Sequence, residues 1–334
     1  MKKILALVLA LVLTLSLASV AMADTYKIGM VTDVGGVNDK SFNQTTWEGL
    51  QALAAEDANV QVAYLESATD ADYSANIETF IDEEYDLIIC VGYMLATATR
   101  EAAEAYPEQK FAIIDDNTCA DLPNVACLMF AQEEASFLVG VVAGMTTKSN
   151  IVGYVQGMVS ESMNRFAVGY IAGVKYANPE ATILQYNANS FGDATVGSAA
   201  ATDMITNGAD VVYHAAGGTG NGVIEACNTN KVWAIGVDTD QSPLAPDVVI
   251  TSAMKRVDVA AQDVTKSVIN GTYAGGEYLY ELTNAGVDLA PTTTLLSEEI
   301  LTAVEAVKAG IIAGEIKVPA LPEELSDPAL FTLK

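Results

Sequence analysis

An α/β architecture of two similar lobes, each a parallel sheet flanked by helices, is what this sequence predicts. Three observations point there. Short β-rich runs alternate with helix-period segments from Tyr26 onward, the pattern of parallel strands covered on both faces. The alternation restarts near Asn150 and repeats in the same order and spacing. The chain has 334 residues, more than one simple hydrophobic core usually serves.

The first strand is "YKIGMVTD", with a helix from about Ser41. "VQVAYLES" leads to a helix from about Asp72, and "YDLIICVGY" to a helix from about Thr97. Two further strands follow, "KFAIIDD" and "NVACLMF", then a helix over Glu134 to Thr146. The restart reads "NIVGYVQG", a helix over "SMNRFAVGYIAGVKYA", "ATILQYN", a helix near Ala194, "ADVVYHAAG", a helix near Gly222 and "KVWAIGVD". Open α/β sheets bind ligands beyond the carboxyl ends of their strands. Polar residues collect at those ends: Asp33, Tyr93 and Asp115 in the first half, Gly217-Gly218 and Asp238 in the second. Lobes facing each other across these loops form a cleft.

The N-terminus reads as an export signal. Lys2 and Lys3 precede an apolar run from Ile4 to Val20, and Ala21-Met22-Ala23 supplies a small-x-small cleavage pattern before Asp24. An uncleaved membrane anchor is the alternative, because the run is nearly long enough to span. Either reading puts the protein to work outside the cytoplasm. The formal net charge of -27 argues against nucleic acid, whose phosphates need a basic face. Of the four cysteines, Cys90 lies in an apolar strand and reads as a free core thiol. Cys119 and Cys127 flank the turn "CADLPNVAC" and either pair in an oxidising compartment or stay free.

Catalytic chemistry is hard to find. No GxSxG elbow, P-loop or HExxH occurs, and "GGTGNGV" misses the dinucleotide spacing. "DADYSANIETFI" has Ala75 where a calcium loop needs glycine and Ile81 where it needs glutamate. The only histidine, His214, reads as a satisfied strand residue, so no metal or other cofactor is expected.

"DVGGVNDKSFNQTTWEGL" (33–50) resembles the signature of the basic membrane protein family, the substrate-binding proteins of nucleoside ABC transporters. "YPEQKFAIID", "GADVVYHAAGGTGNGV", "AIGVDTDQ" and "VITSAMKRVD" follow in that family's order and cover nearly all of the chain after the leader. The resemblance implies a type I periplasmic-binding-protein fold, two Rossmann-like lobes joined by three hinge segments. It implies a purine nucleoside as ligand, an ABC permease as partner, and a monomer without enzymatic activity. Residues 24–128 with 254–281 would form one lobe, and 129–253 with 282–334 the other. The chain would cross between them near 128–131, 252–255 and 280–284. Members usually carry a lipid-modified cysteine at the cleavage site, and here Ala23-Asp24 stands in its place.

With that resemblance, candidate contacts can be assigned. Phe42 would stack on the base, an interaction worth roughly 1–3 kcal/mol, and Phe191 would cover its other face or simply its own loop. Asp115, ending a buried strand, would accept the N–H donors of the purine edge, since an unpaired buried carboxylate is costly. Asp238 would accept from two ribose hydroxyls, while Lys255 donates to them and neutralises that aspartate. Gly217 and Gly218 would admit backbone close to the sugar. Asp33, Asn38, Asp39 and Asn43 would contact ligand, or stabilise the Gly35-Gly36 turn and cap the helix from Ser41. A sugar or autoinducer binder, a sensor without transport, and a nucleoside-cleaving enzyme are the competing functions.

Overall fold

The structure, a computed structural model, describes residues 25–333. The expected leader and its cleavage site lie outside the described residues. Two six-stranded sheets carry the chain. The first holds β1 (Tyr26–Val31), β2 (Val60–Leu65), β3 (Leu87–Cys90), β4 (Lys110–Ile114), β5 (Val125–Phe130) and β11 (Gly276–Tyr280). Their spatial order is β11-β5-β4-β3-β1-β2, all parallel. The second holds β6 (Ile151–Gln156), β7 (Thr182–Asn187), β8 (Val211–Ala215), β9 (Trp233–Asp238), β10 (Val249–Lys255) and β12 (Val287–Leu289). Its order, β12-β10-β9-β8-β6-β7, repeats the first strand for strand, except that β12 runs antiparallel to β10.

Central strands are buried throughout, "LIIC" in β3 and "VVYHA" in β8 among them, because helices cover both sheet faces. The helices are α1 (Phe42–Glu56), α2 (Tyr73–Asp82), α3 (Ala96–Ala105), α4 (Gln132–Thr146), α5 (Glu161–Ala177), α6 (Ala194–Thr206), α7 (Gly217–Asn230), α8 (Val257–Ile269) and α9 (Glu298–Ile312). The α4 and α5 backbones approach closely enough that a Cβ at Gly169 would lie 2.2 Å from the Glu133 carbonyl oxygen. Alanine at this crossing would force the pair apart.

The chain changes sheet three times. It leaves the first after Phe130, leaves the second after Lys255 and leaves the first again after Tyr280. The returning helix α8 seats on α1, with Gly49 against Asp258. These crossings are tied to one another: Ala131 N–H donates to the Tyr280 carbonyl at 2.8 Å, and Arg256 N–H to that of Gly286 at 2.9 Å.

All four cysteines are free and buried. Cys90 is the core thiol its strand predicts, and of the two alternatives for Cys119 and Cys127 the structure takes the unpaired one. His214 corrects an expectation. It is buried in β8 with neither ring nitrogen hydrogen-bonded, and its ring lies over Gly220, where a Cβ would be 2.0 Å from Nδ1. Burial pushes its pKa down to about 4, with the nearby Gln241 offsetting part of that. Among the described residues no helix is long and apolar enough to cross a membrane.

Candidate ligand-binding site

The carboxyl ends of both sheets converge on one cavity. Asp33, Asp39, Phe42, Asn43, Asp115, Phe191, Gly217, Asp238 and Lys255 all line it, so the strand-end clustering in the sequence becomes a place. Asn38 and Gly218 do not line it. Asn38 is exposed, and the missing side chain of Gly218 faces the Phe191 carbonyl and Asp39, at the seam between the lobes.

Two aspartates occupy matching positions. Asp115 directly follows β4 and Asp238 ends β9, each the third strand in from the β11 or β12 edge of its sheet. Both have left-handed backbone, φ 67° and 65°, a conformation aspartate tolerates better than most residues but which still costs about 1 kcal/mol or more. Such strain at two equivalent places is a mark of a functional site.

Their partners differ. Lys255, at the end of β10 and 1% exposed, donates to Oδ2 of Asp115. Its ammonium lies 5.3, 5.1 and 5.2 Å from the ring centres of Phe42, Phe130 and Phe166, where aromatic faces attract a desolvated cation. Oδ1 of Asp115 is buried and has no partner. Asp238 instead accepts from the Ser41 hydroxyl, across the cleft. Lysine was expected to neutralise Asp238, and the structure gives that charge to Asp115. Burial raises Asp238 to about 7, with Lys255 and then Ser41 working against the shift. Burial likewise raises Asp33 to about 6, against hydrogen bonds from Asn43 and Gly35.

In the loop before α1, Asp39 caps the helix start while lining the cavity. Its carboxylate accepts the N–H groups of Ser41, Asn43 and Gln44 at 2.9, 2.9 and 3.1 Å, satisfying donors that a helix start leaves unpaired. Asn43 spends its amide on Asp33 at 2.8 Å and Asp39 at 3.1 Å. Both groups build the wall and leave little capacity for a ligand.

Gly92, Tyr93, Met163 and Phe166 also line the cavity and were missed as site residues. Tyr93 follows β3, so its position was visible. Met163 and Phe166 lie in the first two turns of α5, the counterpart of α1 in the internal repeat, and that correspondence was the available signal.

A sequence model described as "ABC transporter substrate-binding protein PnrA-like", the Bmp family, matches residues 26–322. This chain belongs to that family. The CD4+ T-cell-stimulating antigen of Listeria monocytogenes is 43% identical over 318 residues, covering 89% of both chains. The ABC transporter nucleoside-binding protein BmpA of Lactococcus lactis is 37% identical over 316 residues, covering 88% of this Bmp-family chain and 89% of that one. Among solved structures, an ABC transporter solute-binding protein from Aeropyrum pernix superposes with a TM-score of 0.79 at 30% identity, over 88% and 94% of the two chains. The fold is therefore that of type I periplasmic binding proteins, and the protein is an ABC-transporter substrate-binding protein. Membership implies a small ligand and a permease partner.

Proposed function

We propose that the cavity holds a purine nucleoside and that the protein delivers it from outside the cytoplasm to an ABC permease. The observation that carries this reading is the unpartnered, buried Oδ1 of Asp115 in a cavity walled by Phe42, Phe166 and Phe191. A buried acceptor without a donor is costly, and a purine edge brings an N–H to it while the rings cover the faces of the base. Asp238, already holding one hydroxyl, accepts ribose hydroxyls at the other end. Four aspartates and one lysine line the cavity, which disfavours anionic ligands such as nucleotides. A ligand touching both lobes stabilises the closed arrangement and shifts the population towards it. The BmpA relative, named for nucleoside binding, agrees with the reading.

Thermal denaturation tests it. Inosine, guanosine or adenosine at about 100 times its dissociation constant should add about 2.7 kcal/mol of stability, with ribose alone adding nothing. A shift with a sugar and none with any purine nucleoside would sink the reading. Export with cleavage before Asp24 and no lipid belongs to the same proposal. Intact-mass measurement of the native protein should find a chain starting at Asp24, and a diacylglycerol adduct would contradict this.

A further inference from the structure

The loop ahead of α1 is folded so that its donors and acceptors face opposite ways. Asp39 gathers three backbone N–H groups onto its carboxylate, and Lys40 takes a left-handed backbone, φ 59°. The main-chain carbonyls of Asp39 and Lys40 are left to seek partners elsewhere. Both find one, and both partners come from the opposite lobe. Asn221 Nδ2, on α7, donates to the Asp39 carbonyl at 3.0 Å. Gln241 Nε2, in the loop after β9, donates to the Lys40 carbonyl at 2.9 Å. Neither side chain lines the ligand cavity.

We propose that Asn221 and Gln241 form a latch: positioning residues that set how long the cleft stays shut without touching what is inside it. The proposal rests on the hinge-closing, nucleoside-binding reading above. Gln241 is prepared for the task within its own lobe. Its Oε1 accepts from Val237 N–H at 2.9 Å, and its own N–H donates to Ser252 Oγ at 3.1 Å. Gly236 makes the room, since a Cβ there would sit 2.6 Å from Gln241 Oε1. The side chain is 1% exposed, so one N–H is aimed across the seam with little rotamer freedom left to lose. Opening the cleft would return this donor and the Lys40 carbonyl to water, so each latch bond is worth only a few-fold to about tenfold in the closed population. Because the bonds hold the shut cleft, their effect falls on dissociation. Because they touch no ligand atom, the effect is the same for every ligand.

The test uses the full exported chain with inosine and adenosine as probes, followed by stopped-flow kinetics. Asn221→Ala removes one donor. Gln241→Glu removes the other while keeping the acceptor for Val237, and Gln241→Met repeats that loss without adding charge. Circular dichroism checks that each variant is folded. Dissociation should quicken by roughly 3- to 10-fold in each, nearly multiplicatively in the double variant. Association and the inosine-to-adenosine affinity ratio should stay within about twofold, the precision such kinetics allow. Unchanged dissociation, or an altered ratio, would overturn the latch. If wild-type protein binds no nucleoside, the nucleoside reading fails by itself. The latch is then judged by small-angle scattering of ligand-free protein: a more open double variant supports it, and equal radii overturn it.

Discussion

The two lobes are the same design ended differently. Each sheet places a left-handed aspartate at the tip of its corresponding strand, Asp115 on one side and Asp238 on the other. Asp115 meets a full positive charge, Lys255, delivered by the opposite lobe and enclosed by three aromatic rings. Asp238 meets a neutral hydroxyl, Ser41, again from the opposite lobe. The position equivalent to Lys255 in the first lobe, the end of β5, is Phe130, so duplication kept the aspartates and divided what faces them. A carboxylate balanced by a cation suits a fixed polar edge. One balanced by a hydroxyl suits a ligand that brings hydroxyls of its own. In the nucleoside complex proposed above, this difference puts the base against the first lobe and the sugar against the second.

The largest expected effect breaks the charged half of this comparison. Lys255→Met leaves Asp115 buried without its cation, and breaking a buried pair from one side costs about 3–5 kcal/mol. Chemical denaturation should show that loss, and calorimetry should find no nucleoside binding at micromolar concentrations. A stable, fully binding Lys255→Met protein would mean that the cation is incidental.

The neutral half is next. Asp238→Asn should weaken nucleosides by about 1.5–3 kcal/mol, the value of hydrogen bonds to a charged group, while barely changing a free purine base. Equal losses for both in calorimetry would reverse the assignment of ligand ends. The same variant has a pH signature. Burial raises Asp238 to about 7 and Asp33 to about 6. Their contribution to ligand-free stability is therefore fully present below the ordinary carboxylate pKa of about 4 and is lost as pH rises through 6 and then 7. Melting temperature should fall between pH 5 and 8, and Asp238→Asn should flatten the upper part of that fall.

The smallest effect concerns the shared apolar wall. Phe42→Ala should weaken all purine nucleosides by a similar amount, about 1–3 kcal/mol, since stacking tolerates any base. A change in ranking among inosine, guanosine and adenosine would show that the ring reads edges and not faces.

Much of this was legible in the sequence. Alternating periodicities announced parallel sheets, and the repeat announced two of them. Strand ends carry ligands in such folds, so Asp33, Asp115 and Asp238 could be marked before any coordinates. Pairing was another matter. Along the chain Lys255 lies far nearer to Asp238 than to Asp115, from which it is separated by 140 residues, so proximity in sequence favours the wrong partner and only the folded packing decides that it meets Asp115. Asp39 was ambiguous because a carboxylate before a helix serves ligand and cap with the same atoms. Met163 and Phe166 lie on an ordinary amphipathic helix, whose apolar face looks like core whether it meets a sheet or a cavity. β10 was not read as a strand, and neither were β11 and β12. The last two are short strands at sheet edges, where neighbours from distant parts of the chain supply the pairing.

The four unpaired cysteines bear on how the protein reaches this state. No sulfur waits for an oxidant, so maturation outside the cytoplasm requires no thiol–disulfide enzyme. The hazard comes earlier, while the exported chain is still extended and Cys119 and Cys127 are close enough along it to bridge wrongly. Every one of these sulfurs ends inside a core, so the folded state itself shields them from oxidants.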